Sequence, residues 1–282
     1  MRLLFPALLL AVLLGFTGCI TAGGKPVQPM APGTGEANLT ADEIVKRLRQ
    51  AEKVRGQQAE AGIVYGFERN IIIEDFDSKG QLKRRQTRKF RSATDNRIPE
   101  LLQHNGKPPT PEQIEKERQK ILKNKAKYLG QGNADNPKAK GDSNMLLRQM
   151  KRYGDHFVPR LLGTGPVHGR PAYILQFLLN PSNHFKDPLV NLAIKHMFIK
   201  VWVDQEDFQV AKLEAELVNS LVAIGGLAGK LDNFTVTAFQ KRLTPEIWAD
   251  WKVDARANGW FLWKTFVIHF RSESADFKKL EE

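Results

Sequence analysis

The sequence predicts an α+β domain in which amphipathic helices accompany a long antiparallel sheet. Apolar residues recur with a helical period between residues 40 and 58, and with a period of two through most of the chain after residue 62. Turn sequences separate the predicted strands at short intervals, which favours antiparallel neighbours. About 240 residues follow the N-terminal segment, enough for one large domain. We expect roughly nine to eleven strands and three or four helices.

Residues 1–18 have the pattern of a bacterial secretory signal. Arg2 supplies an early positive charge, and the run 3–16 that follows is almost wholly apolar. A membrane-spanning helix needs about 20 apolar residues, and this run is shorter and interrupted by a proline and a glycine. Gly18 then precedes Cys19, the only cysteine of the chain, so no internal disulfide can form.

The residues 16–19, Phe-Thr-Gly-Cys, resemble the cleavage site of a bacterial lipoprotein signal. This resemblance implies that Cys19 becomes the acylated first residue of the mature protein, carrying palmitate or a similar fatty acid. An ordinary signal peptide with an incidental cysteine is the alternative. Ile20 stands where an aspartate would retain an enteric-type lipoprotein at the inner membrane, so the resemblance favours the outer membrane, facing the periplasm.

The segment 19–38 is rich in Gly, Pro, Ala and Thr and has no periodic apolar pattern. Such a composition cannot bury enough surface to order itself, so we interpret it as a flexible tether. The remaining residues, 39–282, are expected to form a single domain, with a basic helical segment at about 108–153.

The positive charge of the chain is concentrated in one region. Of the net charge of +12, most comes from residues 79–127, which hold 15 Lys and Arg against five Asp and Glu. This region predicts a surface that attracts an anionic membrane, although an ordinary solvated face is an equal alternative. Export makes nucleic acid an improbable partner. The candidates for the anionic-surface contact are Lys83, Arg84, Arg85, Arg88 and Lys89.

Two helices have recognisable N-terminal caps. Thr40 and Glu43 form a capping box, and apolar residues at helical spacing continue the helix to about Gln58. Thr110 is followed by a proline and by Gln113, which predicts the start of a second helix. The apolar stripe of this second helix is thin, which favours a position on a surface. Residues 130–143 are expected to be a linker, followed by a short helix at 144–153.

Strand patterns account for the rest of the chain. A hairpin is predicted with its turn at Asp77–Gly80, and Leu213, Ala215 and Leu217 give the clearest period of two. Tyr173–Leu179 is apolar on both faces, which predicts a strand covered on both sides. Two local features are expected near the C-terminus: a two-residue hairpin turn at Asn258-Gly259 and a helical turn after Thr244-Pro245-Glu246.

The sequence carries no recognisable catalytic or metal-binding pattern. No serine lies in a G-x-S-x-G sequence, and the histidines include no H-E-x-x-H pair. His184 and His196 have no cysteine or acidic partner at a metal-ligand spacing. The glycine-rich stretch Ile224–Leu231 lacks the first glycine and the Ser or Thr of a phosphate loop, so we interpret it as a loop between strands. We expect no enzyme activity, metal or cofactor.

Two segments carry a resemblance to a known family. The turn Gly169–Tyr173 and the segment Val201–Glu214, VWVDQEDFQVAKLE, together with the capped first helix, resemble the LolA/LolB/LppX-like lipoprotein-carrier superfamily. The resemblance spans most of residues 40–282. It implies a strongly curved antiparallel sheet, an incomplete β-barrel, with helices covering its concave face. It also implies an apolar interior that binds an acyl chain of a lipid or of another lipoprotein.

Six residues are candidates for lining that interior, although ordinary core is the favoured interpretation of each one taken alone: Tyr65, Phe67, Leu175, Phe177, Phe198 and Trp202. Two functions follow. The first is a cell-envelope carrier or sensor whose acyl-chain site is gated by the amphipathic segments 40–58 and 110–153. The second is an interaction module with a filled core, which would contact another envelope protein through its charged surface or a sheet edge.

Overall fold

A computed structural model describes residues 39–58, 64–94, 98–129, 157–180, 195–223, 229–245, 247–262 and 264–280. Several predictions from the sequence concern residues outside these ranges: the signal, Cys19, the tether, the linker at 130–143, the helix at 144–153, and residues 224–228.

The described residues form two helices and eleven strands. In chain order they are α1 (Ala41–Gln58), β1 (Tyr65–Phe76), β2 (Leu82–Ala93), β3 (Glu100–His104), α2 (Pro111–Leu129), β4 (Phe157–Val167), β5 (Arg170–Leu179), β6 (Met197–Asp204), β7 (Val210–Leu217), β8 (Leu221–Ala223), β9 (Gly229–Thr244), β10 (Ile247–Phe261) and β11 (Lys264–Lys279).

All eleven strands belong to one antiparallel sheet. Its order is β3-β2-β1-β11-β10-β9-β7-β6-β5-β4, and the short strand β8 pairs with the start of β9. Of the described strands, the first, β1, therefore pairs with the last, β11, near the middle of the sheet. Within the described residues no ladder joins the edge strands β3 and β4. The predicted α+β class, with an antiparallel sheet that does not close, is confirmed, and the arrangement is consistent with an incomplete barrel.

The register places one row of apolar side chains on a single face of the sheet. Ile73 pairs with Phe270, which pairs with Ala255, and the row continues through Val236 to Ala215. Directly paired residues point to the same side of a sheet. We call the face that carries this row the core face, and the opposite one the outer face.

Helix α1 packs against the core face. Ile44 and Leu48 are fully buried and Val45 nearly so, and all three belong to the same apolar cluster as the core-face residues of the sheet. Burying an aliphatic side chain of this size stabilises a protein by about 1.5–3 kcal/mol. The three residues together therefore contribute roughly 5–9 kcal/mol to the attachment of the helix.

Both predicted helix caps are confirmed. The Thr40 backbone N–H donates to Glu43 Oε2 at 2.8 Å, and the Glu43 N–H donates to Thr40 Oγ1 at 3.3 Å. The Thr110 N–H donates to Gln113 Oε1 at 3.0 Å, and the Gln113 N–H donates to Thr110 Oγ1 at 3.3 Å. Each cap satisfies N–H groups that have no partner within the helix, which fixes where the helix begins.

The predicted hairpin between β1 and β2 is also confirmed. Asp77 Oδ1 accepts from the N–H of Lys79 at 2.9 Å and from that of Gln81 at 2.8 Å. Gly80 adopts a φ of 79°, a conformation that favours glycine.

The hairpin turn expected at Asn258-Gly259 is wrong. Strand β10 runs through both residues, and Leu231 pairs with Gly259 while Asn233 pairs with Asn258, so β9 contains one extra residue between them. A Cβ on residue 259 would lie 2.1 Å from the carbonyl oxygen of Lys230. The glycine is therefore needed for a close approach of two backbones beside a β-bulge, and not for a turn.

Two further expectations are corrected, and one strand was missed. No helical turn follows Thr244: β9 ends there, β10 begins at Ile247, and the Ile247 N–H donates to Thr244 Oγ1 at 3.1 Å. Strand β3 was not predicted, because its five residues hold only two apolar side chains. Strand β5 is covered on its core face but not throughout its outer face, where Leu178 is exposed. Strand β5 is the neighbour of the edge strand β4, where the outer face has few side chains that could cover Leu178.

The close approach at residue 259 makes a direct prediction. Gly259→Ala should lower the free energy of unfolding by about 3 kcal/mol or more, because two strands must separate to admit the methyl group. Gly80→Ala is the control: its Cβ meets nothing within 4 Å, so only the positive φ is penalised, by about 1 kcal/mol. Urea denaturation of both variants measures the difference, and equal losses would contradict this assignment of the bulge.

Candidate ligand-binding face

Four of the six predicted lining residues lie on the core face. Side chains alternate between the two faces along β1, so Phe67 and the half-buried Tyr65 lie on the same face as the core-face residue Ile73. Leu175 is fully buried, and Phe177 pairs with a core-face residue of β6. The two pairs are separated by five intervening strands of the sheet. They therefore lie at opposite sides of the core face and do not form one local cluster.

Phe198 and Trp202 lie on the outer face, which corrects the expectation that all six candidates share one face. Trp202 pairs with Ile174 on β5 and with Lys212 on β7. Each of these residues is one position away from a core-face residue on its own strand, so all three side chains lie on the outer face. Trp202 belongs to a second, smaller apolar cluster on the outer face. The Lys212 ammonium lies 4.3 Å from the centroid of the Trp202 ring, a cation–π contact that covers the ring.

The middle of the core face carries small side chains. On β7, β9 and β10 most of the buried core-face positions are occupied by alanine, valine and leucine. These residues are Leu213, Ala215, Val236, Ala238, Val253, Ala255 and Ala257. Phe234, which pairs with Ala257, is the one buried aromatic residue among them, so the centre of this face is apolar and most of its side chains are small.

The first helix is firmly attached at one side of this face. Besides its three buried aliphatic residues, α1 places the guanidinium of Arg47 5.2 Å from the centroid of the Phe208 ring. Phe208 in turn stacks on Tyr173, with 6.2 Å between the ring centroids. Lifting α1 would expose both the aliphatic residues and this aromatic stack. The expectation of a loosely held first helix is therefore not supported.

Over residues 111–123, where its side chains are described, the second helix makes mainly polar contacts with the sheet. Arg88 of β2 donates to Glu117 Oε1 at 3.1 Å, and Gln113 Nε2 lies 3.3 Å from His104 Nδ1 of β3. Ile121 packs against the core cluster, whereas Ile114 and Leu122 are exposed. Apolar side chains this exposed gain little from attachment to the sheet, so among the described side chains those of α2 contribute less apolar burial than those of α1.

The segments that carry the family resemblance meet at one buried carboxylate. Asp204, which is 1% exposed, accepts from Arg170 Nε at 2.7 Å and from its terminal nitrogen at 2.8 Å. Asp204 Oδ1 also accepts from the N–H groups of Glu206 and Asp207, at 3.0 and 2.9 Å. The bond to Asp204 raises the pKa of Arg170, and burial raises the pKa of Asp207. This network closes the turn after β6 and ties it to the start of β5.

Most of the candidate anionic-surface residues are paired with carboxylates on a neighbouring element. Arg84 donates to Asp75 at 2.7 Å, Arg85 lies 3.6 Å from Glu74, and Lys89 lies 2.6 Å from Glu68. Arg88 is paired with Glu117. Among the residues that the structure describes, Lys83 has no ion pair. Strand β2 therefore presents less free positive charge than its composition indicates, and the membrane contact remains a prediction.

Sequence reasoning missed the contact between Arg88 and α2. The signal was present in the alternation of β2, where Gln86, Arg88, Phe90 and Ser92 share one face. This alternation places Arg88 on the core face, in a row with Ile71 and His104. Nothing local in the sequence indicates that Glu117, 29 residues away, is its partner.

Within the described ranges, no group of three or more His, Cys, Asp and Glu side chains is arranged to hold a metal ion. The helices of those ranges are also too short or too polar for any of them to cross a membrane.

Comparisons with known proteins gave matches only at the level of structure. No protein-family model matches the sequence, and no curated protein matches it. Similar solved structures include a LolA superfamily protein from Nitrosomonas europaea, 12% identical with a TM-score of 0.30, where the match covers 87% of this chain and 95% of that chain. A structure of the LolA superfamily, the family that the sequence resembles, is thus among those to which the chain is similar.

Two further structures are similar. A putative outer membrane lipoprotein-sorting protein domain from Vibrio parahaemolyticus is 12% identical with a TM-score of 0.33, over 85% of this chain and 95% of that one. The Pseudomonas aeruginosa MucA/MucB complex contains a chain that is 11% identical with a TM-score of 0.24, over 83% of this chain and 94% of that one.

The Asp204 network predicts a structural role for the resemblance segment. Asp204→Asn should lower the free energy of unfolding by about 3 kcal/mol, because it removes the buried charge that accepts from two nitrogens of Arg170 and leaves only the contacts with Glu206 and Asp207. Glu206→Gln is the control; its carboxylate is exposed and should contribute less than about 1 kcal/mol. Thermal and urea denaturation measure both variants. Equal stability of Asp204→Asn and the wild type would contradict the structural role.

Proposed function

We propose that this protein is a bacterial cell-envelope lipoprotein that binds an acyl chain, of a lipid or of another lipoprotein, against the core face of its sheet, as a carrier or sensor. The single observation that carries this proposal is one apolar cluster that spans the core face from β3 to β5, with mostly small side chains at its centre, beside a helix whose described apolar contacts are few. An acyl chain is apolar along its length and gains roughly 0.8 kcal/mol per buried methylene.

In this proposal the sheet is curved, with the core face on its concave side and both helices across it. A curved sheet that stays open must have its apolar interior covered by other elements. Small central side chains leave space between sheet and cover, and a flexible hydrocarbon chain fits such an elongated apolar site.

The weaker attachment of α2 makes it the gate, while α1 acts as the fixed wall. Opening α1 would require exposing Ile44, Val45 and Leu48, a loss comparable to the whole stability of many domains. Opening α2 requires mainly the separation of half-buried polar groups, which water can replace as partners. Local opening of this kind leaves the sheet intact.

The location follows from Cys19, the proposed lipid anchor in the outer membrane. A tether of residues 19–38 could extend by up to about 65 Å, so the domain could reach well into the periplasm. Near an anionic surface, each accessible Lys or Arg contributes about 1 kcal/mol of attraction. We propose a non-enzymatic role, without metal or cofactor.

The second candidate is an interaction module with a filled core that contacts an envelope protein. It is favoured by apolar side chains exposed at the β4 edge of the sheet, on Val158, Leu161, Leu162 and Leu178. Strand β4 also contains Pro159, Pro166 and a register shift after Leu161, features that hinder the addition of a further strand. A partner would therefore contact side chains at this edge in preference to its backbone.

The carrier proposal predicts binding that depends on chain length. Fluorescent fatty-acid probes of increasing length should bind more tightly by up to about 0.8 kcal/mol per added methylene, until the site is full. Phe177→Asp should abolish binding, because it places a charge on the core face. Phe198→Asp is the matched control, since this phenylalanine has similar partial exposure but lies on the outer face.

Circular dichroism and urea denaturation must show that the Phe177→Asp protein is folded for its result to count. If a folded wild-type protein shows no dependence on chain length, the acyl-chain proposal is wrong and the interaction module takes its place. Equal effects of the two aspartate variants would contradict the assignment of the site to the core face.

Lipidation of Cys19 gives a separate prediction. Cells fed an alkyne-labelled fatty acid should incorporate it into the wild-type protein and not into Cys19→Ala, because the thiol is the acceptor of the acyl group. Gel fluorescence measures incorporation, and mass spectrometry identifies the mature N-terminus. Equal labelling, or a mature N-terminus other than Cys19, would show that the anchor is wrong.

A further inference from the structure

Two cationic side chains and one carboxylate lie between α2 and the sheet. Arg88 and Glu117 form an ion pair at 3.1 Å, with side chains that are 13% and 16% exposed. Lys120, one turn further along α2, lies 3.6 Å from the same carboxylate oxygen and is 37% exposed. We call the two cations the Arg88–Lys120 pair. With Glu117 between them, the three side chains carry one excess positive charge in a partly buried place.

The excess charge is incompletely satisfied. Arg88 Nε is buried and finds no hydrogen-bond partner among the described residues. Its second terminal nitrogen reaches only Gln86 Oε1, at 3.5 Å. Burial, followed by repulsion from Arg88, lowers the pKa of Lys120. Two cations that share a single carboxylate and repel each other favour the binding of an anionic group between them.

The pair lies at the border of the apolar core face. Arg88 shares a cross-strand row with Ile71, and the next core-face position on β2 is the buried Phe90. Ile121 follows Lys120 directly in α2 and packs against the core cluster. A ligand with its charged end at the pair would thus have its next carbon atoms beside buried apolar side chains.

We propose that Arg88 and Lys120 bind the anionic head of an amphiphilic ligand, a carboxylate or phosphate, whose hydrocarbon chain lies on the core face. This inference rests on the acyl-chain function proposed above and adds the chemical class of the ligand. The planar guanidinium donates to two oxygens of a carboxylate or phosphate at once, and the ammonium adds a second, more mobile donor.

The pair also couples the head of the ligand to the gate. Arg88 belongs to β2 and Lys120 to α2, so an anion bound by both joins the helix to the sheet. Glu117 makes this connection in the unliganded protein and competes with the ligand for both cations. A bound anion therefore takes the place of Glu117 and holds the cover closed over the chain.

The test compares hexadecanoate with hexadecanol, which have the same chain length and differ in charge at the head. Binding of each to the full-length protein is measured by displacement of a fluorescent fatty-acid probe. The wild type should bind hexadecanoate at least about tenfold more tightly than hexadecanol, since hydrogen bonds to charged groups contribute this much. Arg88→Gln and Lys120→Gln should lose that preference and keep the affinity for hexadecanol.

Glu117→Gln distinguishes ligand binding from a purely structural role. Removing the competing carboxylate should raise the affinity for hexadecanoate several-fold above that of the wild type, about tenfold at most. If Arg88 and Glu117 only fasten the helix, Glu117→Gln will weaken the binding of both ligands equally, which would overturn the proposal. Arg84→Gln, on the exposed part of β2, and Lys116→Gln, on the exposed side of α2, are controls that should change neither affinity.

The remaining outcomes separate this inference from the function on which it rests. Failure of both ligands to bind would reject the acyl-chain function itself. Equal binding of both, unchanged by Arg88→Gln, would reject the anion site and leave the function standing. Inorganic phosphate is tested alone: binding as tight as that of hexadecanoate would mean that the pair takes free anions, and would overturn the link to a chain.

Discussion

The pairing of β1 with β11 is the constraint on which the rest of the structure depends. Strands β1 and β11 are about 200 residues apart in the chain, yet they pair from Tyr65 with Lys279 to Phe76 with Val267. This ladder joins the N-terminal hairpin to the C-terminal meander. It brings Ile73 beside Phe270 and so makes the core face continuous. Without this ladder, strand β2 and helix α2 would share no apolar surface with α1. Neither the proposed site nor its cover would then exist.

Local chemistry explains which elements could be predicted from the sequence. The caps at Thr40 and Thr110 and the turn at Asp77 depend on residues within three or four positions of each other, so their patterns are sufficient. Gly259 shows the limit. Its role is set by the carbonyl of Lys230 on another strand, and in the sequence alone an Asn-Gly pair indicates a turn. Strand β3 likewise exists because of its pairing with β2.

The candidate site could be predicted only in part, for a related reason. Strand β6 has large apolar side chains on both faces, so the period of two separates Trp202 from Val201 without showing which one faces the core. The answer depends on α1, whose Ile44 and Leu48 pack on one side only. The partner of Arg88 was unpredictable because an ion pair between a strand and a distant helix leaves no spacing pattern.

The central claim, that the core face binds an acyl chain, is tested most directly by native mass spectrometry of the lipidated protein purified from membranes in mild detergent. The account predicts a bound species whose additional mass equals one amphiphile with an anionic head. Lipid attached covalently at Cys19 survives denaturation, whereas the bound ligand should be lost, so the same sample measured under denaturing conditions distinguishes the two. A folded protein that carries no ligand after purification, and takes up none from added hexadecanoate, would contradict the account.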